Sequence, residues 1–269
     1  TGEALEHEKR QRERKPEAQF SPFLFVQDRG GAMGDRAAEK AKVAEEVELL
    51  ARERGIPVAM TDKGSLNALA GNRPHQGYVL RCGKLDFENL PRLPMEADSP
   101  KLWLVLDEVV DPQNLGALLR SAYFMGGNRI GVLVCAKNSA PPSPVVSAAS
   151  AGALELINVY STSNLPRTLN SAKESGFRVI GASSSVPNSD AEVYDLNELP
   201  LDDRRTILVL GSEGYGLRTL VAKACTDFVQ IPGMDNTGVD SLNVSVTGGI
   251  LPWHLMNKAR STKKNKQKN

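Results

Sequence analysis

Three polar, glycine-bearing segments combine groups that bend a backbone with groups that hold or polarise a ligand. The first reads Asp107-Glu108-Val109-Val110-Asp111-Pro112-Gln113-Asn114-Leu115-Gly116 and leads into a helical stretch carrying Arg120. Asn114 is read as the cap of that helix, its amide oxygen accepting an orphan backbone N–H, and Gly116 as a point of close backbone approach. Arg120 lies about one and two-thirds turns beyond Asn114, in the company of Leu118, Leu119, Ala122 and Tyr123. A guanidinium so placed is either a snorkelling or salt-bridged surface charge or a functional cation among residues that favour burial. Spacing leaves both open.

The second segment is Gly211-Ser212-Glu213-Gly214-Tyr215-Gly216. Glycines here let a backbone curl around a ligand. Their order, G-x-x-G-x-G, differs from the G-x-G-x-x-G of dinucleotide folds, and Asp227 opens the next strand instead of closing it. A nicotinamide cofactor is therefore weakly supported. Glu213 is a solvated turn residue or a polar ligand contact. The third segment runs from Ile231-Pro232-Gly233 through a loop to Asp240, then Ser241-Leu242-Asn243-Val244-Ser245. Ser241 is read as the cap of a final helix, and Asn243 as a first-turn residue bonding backbone amides.

The elements that must position these groups alternate in type. Leu102–Leu106 is a continuous apolar run, the pattern of a strand buried on both faces. Similar runs recur at Ile130–Cys135, Leu156–Tyr160, Arg178–Ala182, Thr206–Leu210 and Phe228–Ile231. Helical patterns fall at Leu115–Met125, Val145–Leu154, Leu165–Glu174 and Leu217–Ala224, with a last helix from about Leu242. The expected fold is α/β, a parallel sheet with helices on both faces, whose ligands gather at the carboxyl ends of strands.

Before residue 100 the pattern is smaller in scale. Residues 1–20 are charged and read as disordered or as a loose helix. Helical spacing over 36–54 places Val43, Val47, Leu49 and Leu50 on its apolar side, and Gly55-Ile56-Pro57 stops it. Short strands at Val58–Met60 and Tyr78–Arg81 flank a helical turn at Ser65–Leu69, which makes a small α/β unit over 21–84. The proline-containing, acidic stretch 85–100 reads as a linker to a larger domain over 101–257.

The balance of 33 basic and 32 acidic side chains gives a net charge of only +1, so a polyanion would have to meet local patches. KRQRERK at 9–15 and the tail 258–269, with Arg260, Lys263, Lys264, Lys266 and Lys268, are such patches. Each reads as a solvated end or a nucleic-acid contact. Cys82, Cys135 and Cys225 are far apart, as are His7, His75 and His254. Neither a disulfide framework nor a metal site is expected, and no apolar run approaches membrane-spanning length. The chain opens on Thr1 rather than Met, which reads as a processed or trimmed start.

Taken together, N-x-G-x-x-x-R, G-x-E-G-x-G and I-P…S-L-N-V-S resemble, in order and spacing, the three motifs of the SpoU (TrmH-like) family of SPOUT RNA ribose 2'-O-methyltransferases, over about 102–256. Residues around His75-Gln76-Gly77 are similar to that family's small RNA-binding domain. The resemblance implies a C-terminal deep trefoil knot and S-adenosylmethionine held in a bent shape. Its contacts would fall on Gly211, Ile231 and Leu242, largely through backbone groups, with Gly214, Gly216 and Pro232 beside them. It implies Arg120 as the catalytic cation, and Asn114, Glu213, Ser241 and Asn243 as the polar groups that position it and the target ribose. A guanidinium is not readily deprotonated, so its implied role is to polarise the hydroxyl and clamp the adjacent phosphate. The implied partners are large-subunit ribosomal RNA and a second copy of the chain, with neither metal nor membrane. The implied target is a guanosine of the peptidyl-transferase P-loop, and the implied location the mitochondrial matrix. A tRNA ribose methyltransferase and a catalytically idle ribosome-assembly factor on the same scaffold are the alternatives. Two departures stand out. Gly248, Gly249 and Pro252 are expected to weaken or kink the last helix, and the loop Gly233–Asp240 is longer than in bacterial relatives.

Overall fold

The computed structural model describes residues 21–28, 35–183, 191–200, 202–212, 214–234 and 241–266. The chain divides into two units, residues 1–84 and 85–269. In the first, β1 (Phe23–Gln27) lies between β2 (Val58–Thr61), parallel to it, and β3 (Tyr78–Arg81), antiparallel to it. Helix α1 (Asp35–Glu53) follows β1, and α2 (Lys63–Leu69) follows β2. Alternation along β1 turns Leu24 and Val26 onto Ala51 of α1, with Val47, Ile56, Val58 and Tyr78 around them. The apolar side of α1 is therefore Ala44, Val47 and Ala51, a spacing of three and four residues. Val43, Leu49 and Leu50, expected on that side, are exposed. On the other face of the sheet the Phe23 and Phe25 rings meet at 4.8 Å, and the Arg81 guanidinium lies 5.8 and 5.9 Å from their centres.

Asp62 caps α2 by accepting from the Ser65 amide at 3.0 Å and the Ser65 hydroxyl at 2.6 Å. The His75-Gln76-Gly77 turn is fixed through its imidazole. Gly77 N–H donates to His75 Nδ1 at 3.1 Å, so Nε2 carries the proton and donates to Asn67 Oδ1 at 2.9 Å. Gly77 adopts a φ of +97°, which a side chain would oppose.

The second unit holds an eight-stranded sheet in the order β4-β7-β6-β5-β10-β8-β11-β9, every pairing parallel. Its strands are β4 (Glu88–Asn89), β5 (Leu102–Leu106), β6 (Ile130–Cys135), β7 (Val159–Thr162), β8 (Arg178–Ala182), β9 (Glu192–Asp195), β10 (Thr206–Leu210) and β11 (Asp227–Gln230). The helices are α3 (Pro112–Gly126), α4 (Pro144–Ala149), α5 (Leu165–Glu174), α6 (Thr219–Ala222) and α7 (Val244–Lys266). The stretch 85–100, expected as a linker, contributes β4 to the sheet edge and buries Leu93.

Along β5, Leu102, Leu104 and Leu106 enter one core with α3, α4 and α7, while Trp103 and Val105 enter a second with α5 and α6. Burial on both faces explains the unbroken apolar runs, and each fully buried large side chain contributes roughly 1.5–3 kcal/mol. Two late strands are laid between earlier ones: β10 between β5 and β8, and β11 between β8 and β9. The carboxyl ends of β10, β8 and β11 thus stand side by side.

Helix α3 starts earlier than its apolar pattern suggests. Asp111 is the cap, accepting from Gln113 N–H at 2.9 Å, and Pro112 takes the first turn. Asn114 is not the cap but an internal residue, 7% exposed. Gly116 gives the expected close approach, and its neighbour is a helix: a Cβ there would lie 2.4 Å from that of Ala149 in α4. Helix α7 runs unbroken through Gly248, Gly249 and Pro252. Gly248 serves packing, because a Cβ would fall 2.0 Å from a Leu118 methyl carbon and 2.9 Å from one of Leu210. Strand β7 begins at Val159, later than its apolar run, because Ala153–Glu155 form a short 3-10 turn.

Candidate active site

A cavity of about 600 Å³ opens at the carboxyl ends of β8, β10 and β11. Its walls are Gly211, Ser212 and 214–217 with Thr219, the ends of β8 (Ala182, Ser183) and β11 (Val229, Gln230, Ile231), Ser241 and Leu242, and the first turns of α7 (Val244, Thr247, Leu251). The volume suits a ligand of nucleoside size. Among the described lining residues none is charged, so recognition rests on backbone amides, hydroxyls and apolar walls. That chemistry fits a neutral heterocycle edge better than a polyphosphate.

The glycine turn owes its shape to two close approaches. Ser212 and Gly216 exchange backbone hydrogen bonds of 3.1 and 3.0 Å, and Gly216 takes a φ of +64°. Gly211 sits so near Gly216 that a Cβ would lie 2.2 Å from its carbonyl carbon. Tyr215, at the tip, is 96% exposed.

The turn is gripped from outside by Asp107, the first residue after β5 and fully buried. Its N–H donates to the carbonyl of Leu210 at 2.8 Å. Its carboxylate accepts from Arg218 N–H at 2.9 Å and from the Arg218 guanidinium at 2.7 Å. The same guanidinium reaches Glu108 at 3.2 Å and the Cys135 sulfur at 3.2 Å. Burial, above all, pushes the Cys135 thiol up to about 11, so it stays protonated at neutral pH. Burial likewise pushes Cys225 up to about 12.

Of the expected donor-contact residues, Gly211, Gly214, Gly216, Ile231 and Leu242 line the cavity, and Pro232 is the next residue after Ile231. Among the expected catalytic group, Asn243 Nδ2 donates to Asn114 Oδ1 at 3.2 Å, joining the first and third motifs. Asn243, not Ser241, caps α7: its oxygen accepts from Ser245 N–H at 2.8 Å and from the Ser245 hydroxyl at 2.5 Å. Ser241 is exposed on the cavity rim. Glu213 lies outside the described residues, as do 235–240 of the preceding loop and the basic stretch 9–15.

Arg120 is exposed, not held among the apolar neighbours that flank it in sequence. Leu118, Leu119 and Ala122 turn inward to the core, leaving Arg120 on the same face of α3 as Phe124 one turn on. Beside it lies a second, apolar hollow of about 510 Å³, formed by Ser121, Phe124 and Met125 of α3 with Ser245, Val246, Gly249, Ile250 and Trp253 of α7. Phe124 is 89% and Trp253 58% exposed. Motif reading overlooked Asp107 and Arg218 as a pair. Both are visible in the sequence, but nothing local connects residues 111 positions apart.

Among the described residues no group of three or more His, Cys, Asp or Glu could hold a metal ion. No described helix is long and apolar enough to cross a membrane.

Residues 101–253 match the SpoU rRNA Methylase family. The mitochondrial rRNA methyltransferase 1 of Schizosaccharomyces pombe is 36% identical over 230 residues, covering 75% of this chain and 75% of that protein. The proteins of the same name from Dictyostelium discoideum and Homo sapiens are also 36% identical, over 227 and 242 residues. Those matches cover 75% and 85% of this chain, which spans only 42% and 65% of their lengths. A TrmH-family structure from Porphyromonas gingivalis superposes with a TM-score of 0.60 at 26% identity, over 88% of this chain and 82% of that one. The AdoMet-bound rRNA methyltransferase from Sinorhizobium meliloti shares the fold at a TM-score of 0.65 and 18% identity, over 88% of each chain. With its three motifs after β5, β10 and β11 and this match across most of the larger unit, the chain belongs to the SpoU rRNA Methylase family.

Proposed function

We propose that this chain transfers a methyl group from S-adenosylmethionine to a ribose 2'-hydroxyl of large-subunit ribosomal RNA in the mitochondrial matrix. The target is a guanosine of the peptidyl-transferase P-loop. The observation that carries the reading is the meeting of the second and third motifs around a cavity with no charged residue among its described lining, to which the Asn114–Asn243 hydrogen bond ties the first motif. The names of the S. pombe, D. discoideum and human relatives support the rRNA substrate and the organelle, and the name of the AdoMet-bound relative supports the donor.

The residues fit that donor. Backbone groups of Gly211, Gly214, Gly216, Ile231 and Leu242 present amides and carbonyls to an adenine edge, with Pro232 stiffening the turn below. The cavity volume matches a folded donor, and the resemblance supports a deep trefoil knot around it. When bound, the donor supplies an electrophilic methyl group. The protein's part is alignment and charge stabilisation. Arg120 polarises the ribose hydroxyl and clamps the neighbouring phosphate through its fork of N–H donors. Asn114, Asn243, Ser241 and Glu213 hold the ribose and the arginine in register.

A second copy of the chain completes the site in this reading. The hollow between α3 and α7 exposes Phe124 and Trp253, which a twofold partner would cover. Arg120 precedes Ser121 of that hollow in the chain, and in such a pair it would serve the partner's cavity. The small unit over 21–84 binds RNA.

The test is labelled methyl transfer to large-subunit RNA followed by mapping of ribose methylation, with Arg120→Ala as control. Donor binding without transfer would make the chain an idle assembly factor, and transfer to tRNA in preference would move it to the tRNA branch.

A further inference from the structure

We propose that Asp107 and Arg218 form a clasp that holds the glycine turn Gly211–Leu217 in its donor-receiving shape, so that Arg218 is a positioning residue for methyl transfer. The inference rests on the donor site proposed above. Asp107 holds both ends of the turn. Its N–H binds the carbonyl of Leu210, the residue before Gly211, at 2.8 Å. Its carboxylate binds the backbone N–H of Arg218, the residue after Leu217, at 2.9 Å, and the Arg218 side chain at 2.7 Å. One residue at the end of β5 thus closes a loop whose described residues bond backbone to backbone at the Ser212–Gly216 pair.

The chemistry makes the clasp selective for one loop shape. Asp107 is fully buried, and a buried carboxylate is strongly penalised unless paired. Its cation arrives only when the exit of the turn is in place, so other loop shapes strand the charge. Glu108 braces the guanidinium from the far side as an ion pair at 3.2 Å, and its Oε1 accepts from Asn138 Nδ2 at 3.1 Å. Glu108 adopts a φ of +61°, an unusual backbone state for that residue. Arg218 does not line the cavity, whereas the turn supplies Gly211, Ser212, Gly214, Tyr215, Gly216 and Leu217 to it. It therefore acts on the donor through the turn.

The comparison that isolates this role is the Arg178–Asp227 pair. It is also short, at 2.7 Å, and buried, but it ties the start of β8 to the start of β11, at the opposite strand ends from the cavity. In the full-length chain, Arg218→Ala is expected to weaken S-adenosylmethionine binding by calorimetry at least tenfold. The KM for the donor should rise in proportion while kcat changes less than threefold. Arg218→Lys, which keeps the charge, should recover part of the loss. Amide hydrogen exchange without donor should quicken over 212–217 but not over 207–209. Arg178→Ala should lower the melting temperature with donor affinity unchanged. Asp107→Asn keeps the side-chain shape and repeats the test should Arg218→Ala fail to fold.

Wild-type donor affinity and wild-type loop exchange in Arg218→Ala would overturn the clasp. So would a loss confined to RNA binding, which would make Arg218 an RNA contact. Failure of the wild type to bind the donor would sink the proposed function instead, and the loop-exchange comparison would still decide the clasp.

Discussion

Replacing Gly211 by alanine inserts one methyl group at the tightest point of the donor turn. The new carbon would lie 2.2 Å from the carbonyl carbon of Gly216, 2.3 Å from its oxygen and 2.6 Å from the Leu217 nitrogen. All three are backbone atoms, so no side chain can rotate away. Restoring an ordinary 3.4 Å contact requires the far arm of the turn to retreat by about 1.2 Å. That displacement breaks at least one of the Ser212–Gly216 bonds, now 3.1 and 3.0 Å. Overpacking and one lost hydrogen bond together cost about 2–4 kcal/mol, a fall in melting temperature of roughly 5–15 °C. Because the same arm lines the cavity, S-adenosylmethionine affinity should fall at least tenfold, about 1.4 kcal/mol. The matched control is Gly131→Ala in β6, whose Cβ would strike the Trp103 ring at 2.5 Å, outside the cavity lining. It should destabilise the chain and leave donor affinity intact. Calorimetric titration of the two variants side by side is the assay. Equal donor affinity in Gly211→Ala and wild type would refute the reasoning, as would equal losses in both variants.

Other expectations follow from single contacts. Asn243→Ala removes the α7 cap and the link to Asn114, and should cost about 1–2 kcal/mol in urea denaturation. Arg120→Ala, at an exposed position, should change stability by no more than ~0.5 kcal/mol while lowering labelled methyl transfer on the order of 10²–10³-fold. Trp253→Glu should convert a dimer to monomers in sedimentation velocity; an unchanged sedimentation coefficient would remove α3 and α7 as the interface. The Cys135 and Cys225 thiols titrate at about 11 and 12 in the folded chain, above the ordinary 9.0. The unfolded chain therefore loses these protons first. Stability that is intact below about pH 9 should decline as pH rises from there towards 11 and 12, and Cys135→Ser/Cys225→Ser should flatten that limb of the stability curve. At pH 8, iodoacetamide should label exposed Cys82 and spare the two buried thiols.

The central strands were legible because burial on both faces leaves an unambiguous apolar run: Leu102–Leu106, Ile130–Cys135, Arg178–Ala182 and Thr206–Leu210 stand where expected. Strand β9, Glu-Val-Tyr-Asp, was not, because it lies at the sheet edge and half its side chains face water. Helix starts were misplaced at Asn114 and Ser241 for one reason. Several side chains near each helix could cap it, and only the backbone path selects Asp111 and Asn243. The apolar side of α1 was misread because alanines fill it, and alanine carries little hydropathic signal. In the site, the glycine pattern and motif order located the cavity walls. The exposure of Arg120 and the Asp107–Arg218 pair depend on how distant strands are brought together, which no local spacing encodes.

The wall supplied by α7 has a bearing on how the molecule matures. Asn243 meets Asn114 across 129 residues, and Val244, Thr247 and Leu251 close a cavity whose other sides come from strands made earlier. Contacts of such long sequence separation form slowly, since the intervening chain must first be organised. A chain ending at residue 240 would hold every described strand of the sheet and yet lack this wall of the cavity. Competence arrives only when α7 docks, so a chain truncated at residue 240 should lack the donor-dependent protease resistance that the chain with α7 shows.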